Sequence, residues 1–367
     1  MTTEERVLTA LRCGQPDRVP VFLFLNPYID TPRTESDPSY AEVLEACKEY
    51  EDVVYDWAFP QGLFHTTAKI ESERHRLEDG SIETILHTPA GPLSSIERGN
   101  WRGEGQTKRY ICGPQDLERA LSLPYVPSRP ELRTFFAEKT RLAGKAVAQV
   151  TFSDPMCSAD WIDESALAIM TVEERPLLKR FLDAMFHRVE DALHYCLVNN
   201  VGPLYYFNGP EYALPPLMSP DDFEEFVVEY DRRLIDLVHQ TKGMATIIHS
   251  HGRVNGFLER FAAIGTDGLN VLEPPPIGDV LLEDAKRRVG DRMCLIGNIQ
   301  YDDLARGDPE SVDKLVKECL RQGAPGGGFI LCPCASPYEP TLSPRATANF
   351  IRYLKAGRRW GEYKRQQ

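Results

Sequence analysis

Short apolar runs recur along the chain, each followed by a polar or Gly/Pro cluster and, in the later part, by a helical pattern. The runs are VPVFLFL (19–25), DVVYDWAF (52–59), KAVAQVTF (145–152), PLYYF (203–207), MATIIH (244–249), GLNVL (268–272), MCLIG (293–297) and GGFILC (327–332). They are rich in β-branched and aromatic residues and apolar on both faces, as buried parallel strands are. Helices are predicted between the later runs. SPDDFEEFVVEYDRRLIDLVHQ (219–240) opens with a Ser cap, a Pro at its first position and acids in its first turn. NGFLERFAAIG (255–265) and VLLEDAKRRVG (280–290) each end on Gly, and DPESVDKLVKECLRQG (308–323) starts on Asp-Pro and also closes on Gly.

Alternation at this rhythm means βα units. The eight runs predict a closed (β/α)₈ barrel of TIM type, one α/β unit over residues 1–367, since no linker or charge block divides the chain. Residues 69–112 break the rhythm. KIESERHRL, the turn Asp79-Gly80, SIETILHT, the turn Pro89-Ala90-Gly91 and PLSSIERG read as a small antiparallel insertion.

Composition changes the picture mainly by exclusion. Lys plus Arg is 42 against 55 for Asp plus Glu, a net charge of −13 that repels nucleic acid and anionic membranes. No apolar run is long enough for a membrane span, and the amphipathic start MTTEERVLTALRCG lacks the build of a secretory signal. Nine scattered cysteines in such a chain read as reduced thiols of a cytoplasmic protein.

In a barrel of this kind the active site lies at the C-terminal strand ends. The residues just past each run are therefore the candidates: Tyr28 in Asn26-Pro27-Tyr28, Asp154, Asn208 and Glu211 with Tyr206 just before them, His249 and His251, Glu273, Asn298, and Cys332 with Cys334. Polar strand ends meet water in any protein, which accounts for Asp and Asn but poorly for His-x-His and Cys-x-Cys. Imidazole and thiolate are zinc's preferred ligands, so His249, His251 and Cys332 or Cys334 form a candidate metal set, with Glu273 as a further candidate. Plain packing of one histidine and apolar filling by the thiols is the alternative. In an acid–base reading a histidine at the mouth donates a proton, with Asp154 or Glu211 orienting it or holding a substrate cation; Glu211 alternatively only caps its loop. Gly326–Gly328 precede a strand, so they read as a tight turn and not a phosphate loop.

These pieces carry a family likeness. MSPDDFEEFVVEY, IIHSHGRVNGFLERFAAIGTDGLNVLEPPP, DAKRRVGDRMCLIGNI, LARGDPESVDKLVKECL with APGGGFIL, and the opening ERVLTALRCGQPDRVPV resemble the uroporphyrinogen decarboxylase superfamily. The resemblance implies a (β/α)₈ barrel and one of two activities: cofactor-free decarboxylation of a porphyrinogen's acetate arms, or methyl transfer between corrinoid proteins and thiols or methylated donors, often with zinc. Where the decarboxylases carry an arginine-bearing segment after strand one, this chain reads FLNPYIDTPR, with only a displaced Arg33. Where the methyltransferases carry His-x-Cys and a later Cys, it reads His249-Ser250-His251 and then Cys332-Pro333-Cys334.

Three functions follow. The leading one is a zinc-assisted methyltransferase or demethylase that works with a separate corrinoid protein on a small methylated substrate or thiol, since the chain has no cobalamin-binding Asp-x-His-x-x-Gly of its own. Tyr28, Tyr206, Asn208, Glu273 and Asn298 would line the substrate pocket. The second is a metal-free decarboxylase of a small or tetrapyrrole-like acid, in which the histidines protonate the carbon that carbon dioxide leaves. The third is a barrel that has kept its fold and only binds. Helical surfaces such as 343–356 offer a face for a homodimer.

Overall fold

Seven of the eight apolar runs become strands of one parallel sheet in the computed structural model, which describes residues 1–28, 36–100 and 103–363. In chain order the strands are β1 (Val53–Ala58), β2 (Glu71–Arg76), β3 (Ile82–Thr88), β4 (Gly91–Asn100), β5 (Gly103–Lys108), β6 (Ala146–Ser153), β7 (Leu204–Asn208), β8 (Ala245–His249), β9 (Gly268–Asn270), β10 (Cys294–Ile299) and β11 (Phe329–Pro333). The parallel sheet runs β1-β6-β7-β8-β9-β10-β11, with helices between its strands.

The first predicted strand is not one. Residues 19–25 are extended chain with a single parallel bridge, Val21 to Leu331. On the β11 side, Phe22 N–H donates to Leu331 O at 2.9 Å and Leu331 N–H to Pro20 O at 3.0 Å. On the β1 side one backbone bond remains, Asp52 N–H to Val21 O at 2.8 Å, and two buried carboxylates take the amides: Asp52 accepts from Val21 N–H at 3.0 Å and Glu51 from Leu23 N–H at 2.8 Å. Pro20 has no N–H to give, and Phe24 takes a left-handed φ of 58°, so regular pairing cannot continue.

Side chains alternate along these strands between two apolar layers. Val54, Val147, Leu204, Tyr206, Ala245, Ile247, Cys294, Ile296, Ile330 and Cys332 form the inner cluster, joined by Phe22. Val7, Leu8, Ala10 and Leu11 of the N-terminal helix Thr3–Leu11 pack into the same cluster and plug one end of it. Arg6 and Arg18 anchor that helix region on the wholly buried Asp52, at 2.7 and 2.5 Å. The outer layer packs beneath the helices.

The predicted helix 219–240 is present, opened by a Ser219–Asp222 capping box and interrupted by a π turn over Glu224–Val228. Asp308 precedes its helix without a side-chain cap. The glycine turn before β11 is tight as expected: Gly326 and Gly327 sit at φ +82° and +84°, and a Cβ on Gly327 would lie 2.3 Å from Gly14 O. The insertion folds as a four-stranded antiparallel sheet, β2-β3-β4-β5, one strand more than expected, because β5 has no apolar pattern to announce it. The helix Pro344–Trp360 spends Phe350, Tyr353 and Leu354 inside its own chain. No helix among the described residues is long and apolar enough to cross a membrane.

Candidate functional site

Strand register sets the polar row above the inner cluster. Ser153, Asn208, His249 and Asn270 are successive Cα partners across β6, β7, β8 and β9. On β1, β7 and β8 the apolar inner residues are followed two positions later by a polar one: Val54 then Asp56, Tyr206 then Asn208, Ile247 then His249. The plugged end of the sheet is apolar, and the C-terminal strand ends hold the chemistry.

Asn270 is the hub. Its Oδ1 accepts from Tyr206 OH at 2.7 Å and stands 2.7 Å from His249 Nδ1, while Tyr206 OH is also 2.7 Å from that nitrogen. Its amide nitrogen donates to Ile296 O at 3.3 Å and to Cys332 Sγ at 3.8 Å, which fixes the amide's direction. A carbonyl oxygen only accepts, so His249 carries its hydrogen on Nδ1 and presents Nε2 as a bare lone pair. Burial, reinforced by the neighbouring His251, lowers His249 to about 4. Burial pushes the Tyr206 phenol well above its ordinary value.

His251 lies two residues past the end of the strand, its ring 4.7 Å from that of His249 and nearly perpendicular to it, at 88°. Its Nδ1 is 3.2 Å from Glu273 Oε1, and Glu273 Oε2 accepts Gly252 N–H at 2.7 Å. The Glu273 bond raises His251 above the usual imidazole range against the opposing effect of burial. Burial works to raise Glu273, but the bonds from His251 and Gly252 hold it below the usual carboxylate range. Glu211 sits in the turn Pro210–Ala213 with Oε2 buried and unpartnered; burial raises it, and the charge of His251 partly offsets this. The two imidazoles thus differ: burial holds His249 low, while the bond to Glu273 raises His251.

The structure brings Tyr206, Asn208, Glu211, His249, His251 and Glu273 to one end of the sheet, and turns other expected residues away. Tyr28 lies under Lys145 Nζ at 5.6 Å, with its carbonyl taken by Arg141, beside the start of β6 and at the opposite end of that strand from Ser153. Asp154 is wholly buried beneath Gly209: it accepts Cys157 N–H at 2.6 Å, and burial and Asp231 push its carboxyl well above the ordinary range. Asn298 Oδ1 accepts from Cys319 Sγ of the helix Pro309–Gly323, at 3.7 Å. Arg33 lies outside the described residues.

The metal set expected from the sequence is not assembled. Both imidazoles are anchored through one nitrogen, as metal-bound histidines usually are. The thiols do not join them: Cys332 is part of the apolar inner cluster and donates to Pro333 O at 3.1 Å, and Cys334 is buried, its thiol raised by burial and by Glu273. Among the described residues no three His, Cys, Asp or Glu side chains converge as a metal site.

Four participants were not foreseen: Asn270, and Asp56 with its donors Gln149 and Thr151. A polar residue in an otherwise apolar run, as in VVYDWA and GLNVL, was the available signal.

Residues 131–355 match the family model described as Uroporphyrinogen decarboxylase (URO-D). Over 146 residues the chain is 34% identical to the methylcobamide:CoM methyltransferase MtaA of Methanosarcina barkeri, covering 40% of this chain and 38% of that one. Over 184 residues it is 26% identical to the uroporphyrinogen decarboxylase of Pseudoalteromonas translucida, covering 50% of this chain and 49% of the other. In both cases the match spans less than half the relative's length. A solved methyltransferase from Methanosarcina mazei superposes over 97% of this chain and 98% of its own, with a TM-score of 0.63 at 18% identity, which speaks for a shared fold.

Proposed function

Because the chain belongs to the uroporphyrinogen decarboxylase (URO-D) family, we propose that it is a methyl-transferring enzyme that acts with a separate corrinoid protein on a small methylated substrate. The reading takes the sheet as a barrel closed between β11 and β1 by residues 19–25. The observation that carries it is the charge of the mouth. The side chains around His249 and His251 are carboxylates, amides and a phenol, and among the described residues no guanidinium or ammonium enters their hydrogen-bonded network. A polycarboxylate such as a porphyrinogen needs fixed cations, so this mouth disfavours it.

A corrinoid brought by the partner would supply the nucleophile that accepts the methyl group. The chain's own residues handle the rest. Asn208, Glu211 and Tyr206 line the substrate's place. His251, kept in its protonated form by Glu273, holds a proton for the heteroatom that the methyl group leaves. His249, tied to Asn270 and Tyr206, stays neutral beside it and does not compete as an acid. No step is assigned to zinc.

The test is to mix the purified chain with chemically reduced free cobalamin and a panel of methyl ethers, thioethers and ammonium compounds, and to follow methylcobalamin by its absorbance. Methylcobalamin formation that His251→Gln lowers by about 10²–10⁴-fold supports the reading. Release of carbon dioxide from porphyrinogens or aromatic acids, with no methylcobalamin from any donor, would overturn it in favour of a decarboxylase.

A further inference from the structure

One nitrogen of His249 is committed and the other is open. Its Nδ1 stands 2.7 Å from Asn270 Oδ1 and 2.7 Å from the Tyr206 oxygen. Asn270 cannot turn its amide round, because its nitrogen donates to Ile296 O at 3.3 Å and to Cys332 Sγ at 3.8 Å. The ring hydrogen therefore stays on Nδ1, and Nε2 keeps a lone pair that can only accept. Burial, which lowers His249 to about 4, keeps a second hydrogen off the ring near neutral pH. Among the described residues no donor reaches Nε2, and the residue is half-buried at the end of its strand, two positions above the fully buried Ile247. The Tyr206 ring lies tilted beside the imidazole at 5.4 Å, and the His251 ring stands across it at 4.7 Å. A molecule seated against His251 thus meets His249 within the span of a few bonds.

An acceptor on the rim of an apolar cluster sorts its partners. A ligand O–H or N–H satisfies it, whereas a ligand of the same shape without a donor displaces its water and leaves it unpaired. We infer that His249 Nε2 is a specificity determinant that reads a hydrogen-bond donor on the substrate: the methyl-bearing heteroatom sits against His251, and a hydroxyl or N–H on a neighbouring carbon donates to His249. Asn270 is the positioning residue, since it decides which edge of the imidazole accepts. The heteroatom's place rests on the methyl-transfer reading, and the inference names its substrate class, methyl ethers and thioethers with an adjacent hydroxyl or N–H.

The test is calorimetric titration of the full chain at pH 8 with two pairs of compounds: 2-methoxyphenol against 2-fluoroanisole, and 2-methoxyethanol against 1-fluoro-2-methoxyethane. In each pair fluorine stands for the hydroxyl at similar size and cannot donate. The expected result is that the hydroxyl member of at least one pair binds about tenfold tighter. His249→Phe should abolish that preference and leave the fluoro compound's affinity unchanged. Asn270→Leu should abolish it too, but Asn270→Asp, which still accepts the Nδ1 hydrogen, should keep it; both variants lose the bond to Ile296 O, so a merely structural asparagine would make them alike. Should the variants fail to fold, nitrogen-15 spectra of the histidine-labelled, unaltered protein serve instead: Nε2 of His249 should carry no hydrogen and should shift with 2-methoxyphenol but not with 2-fluoroanisole. A hydrogen on Nε2, equal affinity within both pairs, or no binding by any of the four overturns the inference. A preference that vanishes on dialysis against a chelator assigns the hydroxyl to a metal and also overturns it. Methylcobalamin formed equally fast from hydroxyl and fluoro members overturns it as well, and leaves the methyl-transfer reading standing. A hydroxyl preference with carbon dioxide release and no methylcobalamin from any donor overturns the reading, and with it the substrate class, while His249 remains the acceptor.

Discussion

His251 and Glu273 make a pair whose separation can be read in a rate profile. Glu273 raises the imidazole's proton affinity, so the protonated form persists to higher pH than an isolated histidine allows. If that form is the acid, activity falls as pH rises through the raised value. Glu273→Gln removes the charge and keeps an acceptor for the Nδ1 hydrogen, so the alkaline limb should move to lower pH, with the plateau rate at low pH largely kept. A pH–rate profile of the two proteins checks this; coincident limbs would remove His251 from the acid's role. At this scale the sequence was legible where residue type is rare. Two histidines one residue apart and a glutamate after the next run stand out among apolar strands. Asn270 did not, because an asparagine's role depends on what stands across the sheet: Tyr206 and His249 lie 64 and 21 residues away in sequence.

The seam at residues 19–25 is the element that departs most from its pattern, and its stability is tied to pH. Glu51 is wholly buried, and burial raises it to about 7 from an ordinary 4.5. The sign follows from linkage. The folded state holds this proton more tightly than the unfolded chain, so stability is highest below pH 4.5 and is lost as pH rises through about 7. Glu51→Gln keeps an acceptor for Leu23 N–H and removes the charge. It should stabilise the protein by on the order of 1–3 kcal/mol at pH 8 and leave it nearly unchanged at pH 5, as urea unfolding at the two pH values would report. An apolar run of the right length predicted a strand here because periodicity counts side chains. It does not see that Pro20 lacks a donor or that the carboxylates of Asp52 and Glu51 take the amides a neighbouring strand would have bonded. The reverse error occurred at β5, where pairing with β4 makes a strand of a polar segment, as antiparallel edges allow.

At the scale of the whole molecule, the inner cluster and the helix that plugs it leave only one end of the sheet for chemistry. The thiols are taken up in packing at that end. Cys332 belongs to the packed layer and Cys334 is buried behind Glu273, so prolonged dialysis against a chelator should leave the melting temperature unchanged and turnover within about twofold. Loss of activity that zinc alone restores would return the histidines to a metal-binding role. Glu211 and Asp154 show the same division: they follow neighbouring strands, yet one turns toward His251 and the other is sealed under Gly209, where a φ of +140° and an approach of 2.0 Å to a built Cβ leave no room for a side chain.

What the sequence by itself determined was the succession of strands and helices, the antiparallel excursion, the end of the sheet that carries ionisable groups, and the family. These follow from local pattern: apolar periodicity, caps, turn residues and scarce side chains, all of which act over a few residues. What only the tertiary structure decided was which polar groups share a cavity. That depends on strand register and on the single-residue alternation of inward and outward side chains, where a shift of one position moves a carboxylate from the mouth into the helix layer. Asp56 and Asp154 are the two outcomes of that rule in this chain.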